Sequence, residues 1–252
     1  MKYFYVISNL SKDYVLDVQD EVQSCLEKRG AVCRYMTDYE RMKNGRHTPG
    51  EYVPEDTQCI ITIGGDGTLI QAARDLAGRN IPMLGINRGH LGFLNQVDRT
   101  EDIDAAMDAL VNERFRLEHR MMLRGTVFHE GKPVFQDIAL NEIIATSAEH
   151  LRVLRYDLAV NDEYLNEYAA DGVMVATPTG STAYNLSAGG PVMAPAGRMM
   201  AVTPVCSHTL NARSIVISEE DRVKIGLLGK GLVTFDGDTS QKTGPGDYLI
   251  VE

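Results

Sequence analysis

Five residues built around one aspartate are the first feature of this sequence that could do chemistry. Residues 64–68 read GGDGT and follow an apolar stretch at 59–63. A strand that ends in glycines before a helix presents backbone N–H groups and the positive end of the helix dipole, an arrangement that binds anions. A carboxylate among phosphates is repelled unless it accepts a proton or binds Mg²⁺. We therefore predict that Asp66 is catalytic and that Gly65, Gly67 and Thr68 belong to an anion site.

This turn matches neither of two common phosphate-binding sequences. The chain contains no GxxxxGK[ST] run, which excludes a Walker loop, and the segment lacks the third glycine of a dinucleotide fingerprint. A purely structural alternative is that Asp66 caps the following helix while the glycines supply positive φ. The residues alone leave both interpretations open.

A second segment combines small residues with hydroxyl groups. Residues 171–191 read DGVMVATPTGSTAYNLSAGGP. Its glycines and alanines leave room for a flat ligand beside the backbone, and its hydroxyls and exposed amides could read the edge of a base. Tyr184 is a candidate to stack on that base. The alternative is a Ser/Thr-rich loop that caps a helix at Ser181 or Thr182.

The first hundred residues predict the scaffold of the GGDGT turn. Apolar residues recur at helical spacing over 15–26, between strand-like segments at 3–7 and 31–35. Further strands are predicted at 59–63 and 82–86, and the first of these runs through the turn into a helix. Strands that alternate with helices favour a parallel sheet wound on both faces.

Two connecting segments are less regular. Residues 36–57 are polar and contain several glycines and prolines, which predicts an irregular segment. Thr100 is followed by acidic residues, which predicts a capped helix start, and this helix is expected to run to about Asn112.

The second half of the chain has a different pattern. From residue 117 onward the apolar runs are short, rich in β-branched and aromatic residues and separated by turn signals, which predicts an all-β domain. The predicted strands are 125–129, 138–146, 151–160, 173–177, 215–218, 223–228 and 232–235. We predict an α/β domain over 1–115 and an all-β domain over 116–252, with about the last 20 residues packing back on the first domain.

Composition limits the partners and the compartment. The chain has 252 residues, 44% of them hydrophobic, which is enough for one large or two smaller domains. Its net charge of −10 repels nucleic-acid backbones and anionic membrane surfaces, so we expect neither as a partner. The four cysteines form no CxxC pair, and neither a signal peptide nor an 18-residue apolar run occurs, which favours a reducing cytoplasm.

Both chemical segments resemble known families. The GGDGT turn is similar to the signature of a kinase superfamily that includes NAD kinases, diacylglycerol and sphingosine kinases and, more distantly, phosphofructokinases. Residues 171–191 resemble the long NAD kinase signature almost throughout, and the resemblance extends over about residues 59–238. It implies that the GGDGT turn cradles the donor phosphates and that Asp66 serves the acceptor hydroxyl.

The resemblance also implies contacts with the dinucleotide. The residues expected at its adenosine pocket are Thr182, Ala183, Tyr184 and Ser187, and Asn185 is expected among the substrate-binding residues. Asp171 is expected to hydrogen-bond the dinucleotide, either within its own chain or from a neighbouring subunit. Asn141 and Glu142 resemble a family pair that contacts the ribose hydroxyls and positions the acceptor, with an exposed strand end as the alternative.

Further matches and departures surround these residues. Asn87 and Phe93 lie in a segment, 87–94, that is similar to one bordering the family's nucleotide site, and a Gly-rich connection is the alternative. Arg152 has a spacing at which relatives often contact the ligand. Ala169 stands where many relatives carry Arg, so we expect a phosphate or nicotinamide contact to be absent, which leaves the choice between NAD and NADH open.

Near the C-terminus one pair matches and its neighbour does not. Asp236 and Gly237 resemble the family's late Asp-Gly pair, whereas Asp238 follows where Gln is frequent. Residues 204–210 resemble a further family stretch that we interpret as structural.

Taken together, the resemblance implies an NAD kinase activity: Mg²⁺-dependent transfer of a phosphoryl group from ATP or polyphosphate to the 2′-hydroxyl of the adenosine ribose of NAD. It also implies a homodimer or homotetramer. A lipid or sugar kinase with the same turn predicts a membrane-facing patch or a cluster of arginines, and neither is evident. A non-catalytic sensor that binds NAD or NADP is the alternative from another class. The sequence decides neither the donor nor the metal ligands.

Overall fold

The protein divides into two compact units. The structure is a computed structural model and describes residues 1–10, 14–36, 43–87, 93–149, 152–208 and 212–252. The first unit spans Met1–Leu117 and the second spans Glu118–Glu252. Each unit encloses its own hydrophobic core.

A parallel sheet of four strands forms the centre of the first unit. Its strands are β1 (Tyr3–Ser8), β2 (Val32–Tyr35), β3 (Cys59–Ile63) and β4 (Met83–Ile86), in the spatial order β2-β1-β3-β4. Every residue of β3 is buried, because this strand has a neighbour on each side and both faces of a parallel sheet are covered.

Helices and 3₁₀ turns cover this sheet on both faces. They are α1 (Val15–Glu27), α2 (Asp66–Asp75), α3 (Ile103–Val111) and turns at Gly50–Tyr52, Ala77–Arg79 and Thr100–Asp102. Phe4 of β1 packs with Val22 of α1 and Met107 of α3, whereas its neighbour Tyr5 packs on the other face with Leu76, which follows α2. The predicted doubly wound α/β fold of this half is confirmed. None of the described helices is long and apolar enough to span a membrane.

The start of α3 differs in detail from the prediction. Thr100 opens a 3₁₀ turn, and α3 begins only at Ile103, with Asp102 at its N-cap. Neither start is capped by a side-chain hydrogen bond, so the predicted cap at Thr100 is wrong. The acidic residues act instead through their charge near the positive end of the helix dipole.

Two antiparallel sheets form the second unit. The strands are β5 (Leu123–His129), β6 (Lys132–Ala139), β7 (Glu142–Ser147), β8 (Leu154–Val160), β9 (Glu163–Ala170), β10 (Gly172–Ala176), β11 (Met199–Val205), β12 (Ile215–Ser218), β13 (Val223–Leu227), β14 (Gly231–Phe235), β15 (Thr239–Thr243) and β16 (Tyr248–Val251). One sheet has the order β12-β11-β10-β7-β14-β15 and the other β6-β5-β16-β13-β8-β9. The predicted all-β character of this half is confirmed.

The two sheets share one apolar core. Strands β13 and β14 alternate buried and half-buried residues, because successive side chains of a strand point to opposite faces. Strand β10 is buried throughout. On its outer face Met174 and Ala176 pack with Ala188, so the segment that follows β10 folds back over this sheet, where α4 (Tyr184–Ser187) lies.

Several strand boundaries differ from the prediction. The single strand expected over 138–146 is two strands, because Leu140 and Asn141 separate β6 from β7. Strands β9, β11, β15 and β16 were not predicted. Strand β16, near the C-terminus, pairs with β5 and β13 of the second unit.

Candidate active site

The GGDGT turn leaves β3 and enters α2 at the carboxyl edge of the parallel sheet. Gly64 donates its N–H to the carbonyl of Ile86 at 2.9 Å. Gly64 has φ of +155°, and a Cβ there would lie 2.4 Å from Oγ1 of Thr68, so only glycine fits. Gly67 is exposed, and a Cβ there would meet no atom of the described residues within 4 Å. Within the turn, Gly64 is therefore tightly packed and Gly67 is open.

The carboxylate of Asp66 is held by the segment that follows β4. It accepts hydrogen bonds from the N–H of Phe93 at 2.9 Å, the N–H of Leu94 at 3.4 Å and Nδ2 of Asn95 at 2.5 Å. These three donors fix the direction of the carboxylate. Asn95 was not among the predicted site residues, and only the folded chain shows its contact with Asp66.

Helix capping does not account for Asp66. The N-cap of α2 is Gly65, and no side chain bonds to this cap. The carboxylate of Asp66 turns toward residues 93–95 instead, so the structural alternative for this residue is not observed.

A cavity of about 600 Å³ lies beside the glycine turn, within the first unit. Gly65, Gly67 and Thr68 form one wall. The remaining lining residues come from β1, from the segment after it and from the connection between β2 and β3: Tyr5, Val6, Ile7, Ser8, Asn9, Leu10, Met36, Gly45, Arg46, His47, Thr48 and, on α2, Gln71. The cavity thus combines apolar side chains with the backbone N–H groups of the turn.

The carboxylate of Asp75 holds three of the residues that line this cavity. Asp75, at the end of α2, accepts the N–H of Thr48 at 2.6 Å and Nε2 of Gln71 at 2.9 Å, and its Oδ1 lies 3.2 Å from Nδ1 of His47. These contacts bring the segment 45–48, with its basic residue Arg46, to the cavity. The sequence predicted only an irregular segment here, although its basic residues beside glycine were a signal for anion binding.

Asn87 and Phe93 have different surroundings. Asn87 is buried, and its Oδ1 accepts the hydroxyl of Tyr14 at 3.0 Å. Phe93 exposes 74% of its surface while its N–H binds Asp66. The residues between them, 88–92, lie outside the described residues.

In the second unit the connection between β6 and β7 is held from two sides. The carboxylate of Asp236 accepts the N–H of Leu140 at 2.7 Å, of Asn141 at 2.8 Å and of Glu142 at 3.0 Å. Thr177, just after β10, donates its hydroxyl to the carbonyl of Leu140 at 2.6 Å and its N–H to the carbonyl of Asn141 at 2.8 Å. Residues 140–142 therefore have fixed backbone groups, and Glu142 opens β7 instead of ending a strand.

Glu142 is a buried acid without a full set of partners. Its side chain is 9% exposed, and its Oε2 has no hydrogen-bond partner among the described residues. Burial, and then the nearby charge of Asp236, raise the pKa of Glu142 to about 7. An acid of this kind can donate to or accept from a hydroxyl near neutral pH.

The segment 177–191 has an internal skeleton and an outer surface. Asn185 is fully buried: its Nδ2 donates to the carbonyls of Ser181 and Pro191, and its Oδ1 accepts the hydroxyl of Thr203 at 2.7 Å. Tyr184 and Ser187 are exposed, and Thr182 and Ala183 are half-buried. Asn185 thus shapes the segment from inside, whereas the four others line its accessible side.

Three further predicted residues gather around the connection from β9 to β10. Ala169 is near the end of β9, and its carbonyl accepts the N–H of His208 at 2.8 Å. Nε2 of His208 lies 3.7 Å from the carboxylate of Asp171. Arg152 is exposed, with its Nε 3.6 Å from the carboxylate of Glu149.

Asp171, which directly precedes β10, lies at the opposite end of this strand from the neighbour of Glu142. Gly172 pairs with Thr146, near the end of β7, whereas Ala176 pairs with Glu142 at its start. Positions 171 and 176 are therefore about 17 Å apart along the strand. The second unit contains two groups of predicted ligand contacts, one beside Glu142 and one beside Asp171.

Family models match both halves of the chain. The model described as the ATP-NAD kinase N-terminal domain matches residues 10–115, and that of the ATP-NAD kinase C-terminal domain matches residues 140–252. Among solved structures, a yeast NADH kinase complexed with NADH has a TM-score of 0.86 at 22% identity, over 100% of this chain and 78% of that one. An NAD kinase from Archaeoglobus fulgidus in complex with ATP has a TM-score of 0.79 at 23% identity, over 100% and 90%.

Curated relatives are more similar in sequence. NAD kinase from Lachnospira eligens is 37% identical over 100% of this chain and 92% of its own length. NAD kinase from Moorella thermoacetica is 38% identical over 98% of this chain and 80% of its own length. With both halves matched by family models and relatives of this identity along its whole length, the chain belongs to the NAD kinase family of enzymes.

Proposed function

We propose that this enzyme transfers the γ-phosphoryl group of ATP to the 2′-hydroxyl of the adenosine ribose of NAD and so produces NADP. The observation that carries the proposal is the fixed carboxylate of Asp66 in a glycine turn at a helix N-terminus. In direct transfer through a loose transition state, positioning and charge neutralisation matter more than a strong base.

The cavity beside the glycine turn supports ATP as the donor. Its volume of about 600 Å³ is in the range of small-molecule sites, and the apolar side chains of Tyr5, Leu10 and Met36 suit a nucleoside. Inorganic polyphosphate has no such apolar part. The N–H groups of the turn and the charge of Arg46 would face the phosphates.

Asp66 would accept the proton of the attacking hydroxyl. Phe93, Leu94 and Asn95 fix the position of its carboxylate, so the oxygens that would receive the proton have a set direction as the new phosphorus–oxygen bond develops. Because transfer of the proton is late, the hydroxyl has already become acidic when Asp66 takes it.

Asn141 and Glu142 would hold the acceptor ribose. The unpartnered Oε2 of Glu142 is available to a ribose hydroxyl, and such a contact would satisfy a buried polar atom. Thr182, Ala183 and Ser187 would line the adenine side, with Tyr184 against the base, since its ring is 45% exposed.

Among the described residues, Asp66 is the candidate ligand for a magnesium ion that would be carried mainly by the donor. No group of three His, Cys, Asp or Glu side chains in the described part of the chain could hold a metal. Mg²⁺ in phosphotransfer sites is typically bound by one or two carboxylates plus substrate phosphates, and Asp66 supplies one. When bound, the ion would neutralise phosphate charge next to Asp66.

The group around Asp171 supports a homo-oligomer. Its position at the far end of β10 from Glu142 is the reason to assign Asp171, Ala169 and Arg152 to the dinucleotide of a neighbouring copy. The four free thiols agree with a cytoplasmic enzyme.

One assay tests the activity. Purified protein with ATP, Mg²⁺ and NAD should form NADP, and Asp66→Asn should bind NAD normally in calorimetry while turnover falls about 10²- to 10⁴-fold. Asp104→Asn is the matched control. It removes a carboxylate of the same unit that pairs with Arg29 and should retain turnover. Equal turnover in Asp66→Asn would remove this residue from the mechanism.

The same assay separates the remaining candidates. Binding of NAD without any NADP formed would favour a sensor. Polyphosphate in place of ATP tests the donor, and NADH in place of NAD tests the acceptor at a site where Ala169 replaces a frequent Arg.

A further inference from the structure

The hairpin turn between β14 and β15 contains Asp236, which forms part of the turn and also binds a distant segment. Asp236 and Gly237 have φ of +48° and +67°, and the N–H of Asp238 donates to the carbonyl of Phe235 at 2.9 Å. Asp-Gly is a favoured pair for such a hairpin turn, but Asn-Gly forms it equally well. The turn alone therefore does not require the carboxylate of Asp236.

That carboxylate binds a segment far away in the sequence. Its two oxygens accept three consecutive backbone N–H groups, those of Leu140, Asn141 and Glu142, at 2.7–3.0 Å. The N–H of Asp236 in turn donates to the carbonyl of Glu142 at 3.0 Å. An ionised acceptor makes stronger hydrogen bonds than a neutral one.

The opposite side of the same segment is also held. Thr177 binds the carbonyls of Leu140 and Asn141, and the carbonyl of Asn141 would lie 2.1 Å from a Cβ at position 180, where the chain has glycine. With amides bound on one side and carbonyls on the other, the backbone at 141 and 142 has a single arrangement. The directions of both side chains follow from it.

We propose that Asp236 is a positioning residue for the acceptor, one that fixes Asn141 and Glu142 against the ribose without touching the substrate. The proposal rests on the NAD kinase activity proposed above. Displacement of a reacting group by about 1 Å is enough to lower a rate about 100-fold. Loss of the hydrogen bonds between Asp236 and residues 140–142 should therefore lower kcat/KM for NAD and leave ATP binding unchanged.

The Asp236→Asn variant tests this role. Asn adopts left-handed φ as readily as Asp, so the turn is retained, but its amide group places an N–H₂ against a backbone donor. We expect kcat/KM for NAD to fall about 10- to 100-fold while KM for ATP stays unchanged. Wild-type kinetics in this variant would overturn the proposal.

Asp247→Asn is the matched control. Asp247 closes the turn at the other end of β15 and accepts the N–H of Gly244 at 2.7 Å, so its loss also weakens a turn of the same unit. It should lower the unfolding temperature and leave kcat/KM for NAD unchanged. An equal kinetic loss in both variants would assign the effect to general destabilisation and overturn the proposal.

Hydrogen exchange gives a readout that does not need activity. The amides of residues 140–142 should exchange about tenfold or more faster in Asp236→Asn than in the wild type or Asp247→Asn. Unchanged exchange of these amides would contradict a role of Asp236 in holding residues 140–142, even if turnover fell. If the wild-type amides are protected in this way but the protein forms no NADP, the proposed function is contradicted and the contacts of Asp236 are not.

If Asp236→Asn does not fold, Thr177→Val is the second variant. It removes the hydrogen bond from the Thr177 hydroxyl to the carbonyl of Leu140, on the other side of the segment, and should show the same kinetic pattern.

Discussion

Glu142 lies beside Asp236, whose carboxylate accepts the N–H of Glu142 at 3.0 Å. Burial of the Glu142 side chain and this neighbouring charge raise its pKa from 4.5 to about 7. Between these values the folded protein keeps a proton that the unfolded chain has released. The contribution of Glu142 to the free energy of unfolding therefore falls as pH rises from about 4.5 to about 7, and it stays constant above that.

We predict that Glu142→Gln is more stable than the wild type at alkaline pH. Gln keeps the shape of the protonated acid and does not ionise, so it avoids the burial of a charge. The difference in free energy of unfolding should be near zero at about pH 4.5 and reach on the order of 3 kcal/mol above about pH 7. Urea unfolding of both proteins over this range measures it.

The exposed Glu163, the first residue of β9, provides the control for this prediction. Glu163→Gln should change the free energy of unfolding by less than about 0.5 kcal/mol. A difference between wild type and Glu142→Gln that did not vary with pH would contradict the raised pKa.

A second pH effect is predicted at the other end of β15. Nδ1 of His129 lies 2.7 Å from the carboxylate of Asp247, and this hydrogen bond raises the pKa of His129 above 6.5. A raised histidine pKa contributes stability that is complete below the unfolded value of 6.5 and lost as pH rises through the folded value. His129→Gln should therefore lower the unfolding temperature at about pH 5.5 more than at about pH 9.

Salt and a second histidine check the origin of that effect. Because the side chain of His129 is 61% exposed, about 1 M salt should reduce the difference between wild type and His129→Gln. The exposed His119 has no ion pair with any described residue, so His119→Gln is the control and should leave the unfolding temperature nearly unchanged. A His129→Gln effect of equal size at both pH values would contradict the ion pair.

The sequence predicted the buried strand β3 but missed four strands of the second unit, the edge strands β9 and β15 and the inner strands β11 and β16. Strand β3 is apolar and buried on both faces, and the pattern identified it with its glycine turn. In the edge strands β9 and β15, the exposed residues, EYLN in β9 and Ser240 and Lys242 in β15, show no apolar alternation to detect. An edge strand is stabilised by pairing with one neighbour, which a local pattern does not report.

The candidate site shows a similar division. Asp66 and Glu142 were predictable because their residue types and neighbours carry chemistry or a family resemblance. The partners that fix them, Asn95 for Asp66 and Asp236 for Glu142, depend on tertiary contacts across 29 and 94 residues. Asn185 was predicted as a ligand contact from its place in the signature, yet its amide is bound on both sides inside the protein.

Gly180 offers a steric test of the segment after β10. A Cβ at this position would lie 2.1 Å from the carbonyl oxygen of Asn141, and backbone atoms there are already held by Thr177. Gly180→Ala should lower the free energy of unfolding by about 1–3 kcal/mol and reduce kcat/KM for NAD. Gly229→Ala, at a position where a Cβ meets no described atom within 4 Å, should do neither. Equal effects of the two changes in denaturant unfolding would contradict the close packing at Gly180.

Gly64 and Gly67 in the turn should respond differently to alanine. At Gly64 the added Cβ meets Oγ1 of Thr68 and the backbone has positive φ, so Gly64→Ala should lower stability. At Gly67 the methyl group meets nothing in the described chain, and alanine favours a helix over glycine by about 1 kcal/mol. Gly67→Ala should therefore be as stable as the wild type or more stable.

Activity separates this gain in stability from function. If phosphate approaches the open backbone at Gly67, the methyl group of Gly67→Ala occupies the space that the donor needs, because anions at a helix N-terminus lie against its N–H groups. KM for ATP should rise about tenfold or more while NAD binding, measured by calorimetry, stays unchanged. A stable Gly67→Ala protein with wild-type KM for ATP would mean that the donor does not approach the turn from this side, and the phosphate site would then have to be sought away from the open face of the GGDGT segment.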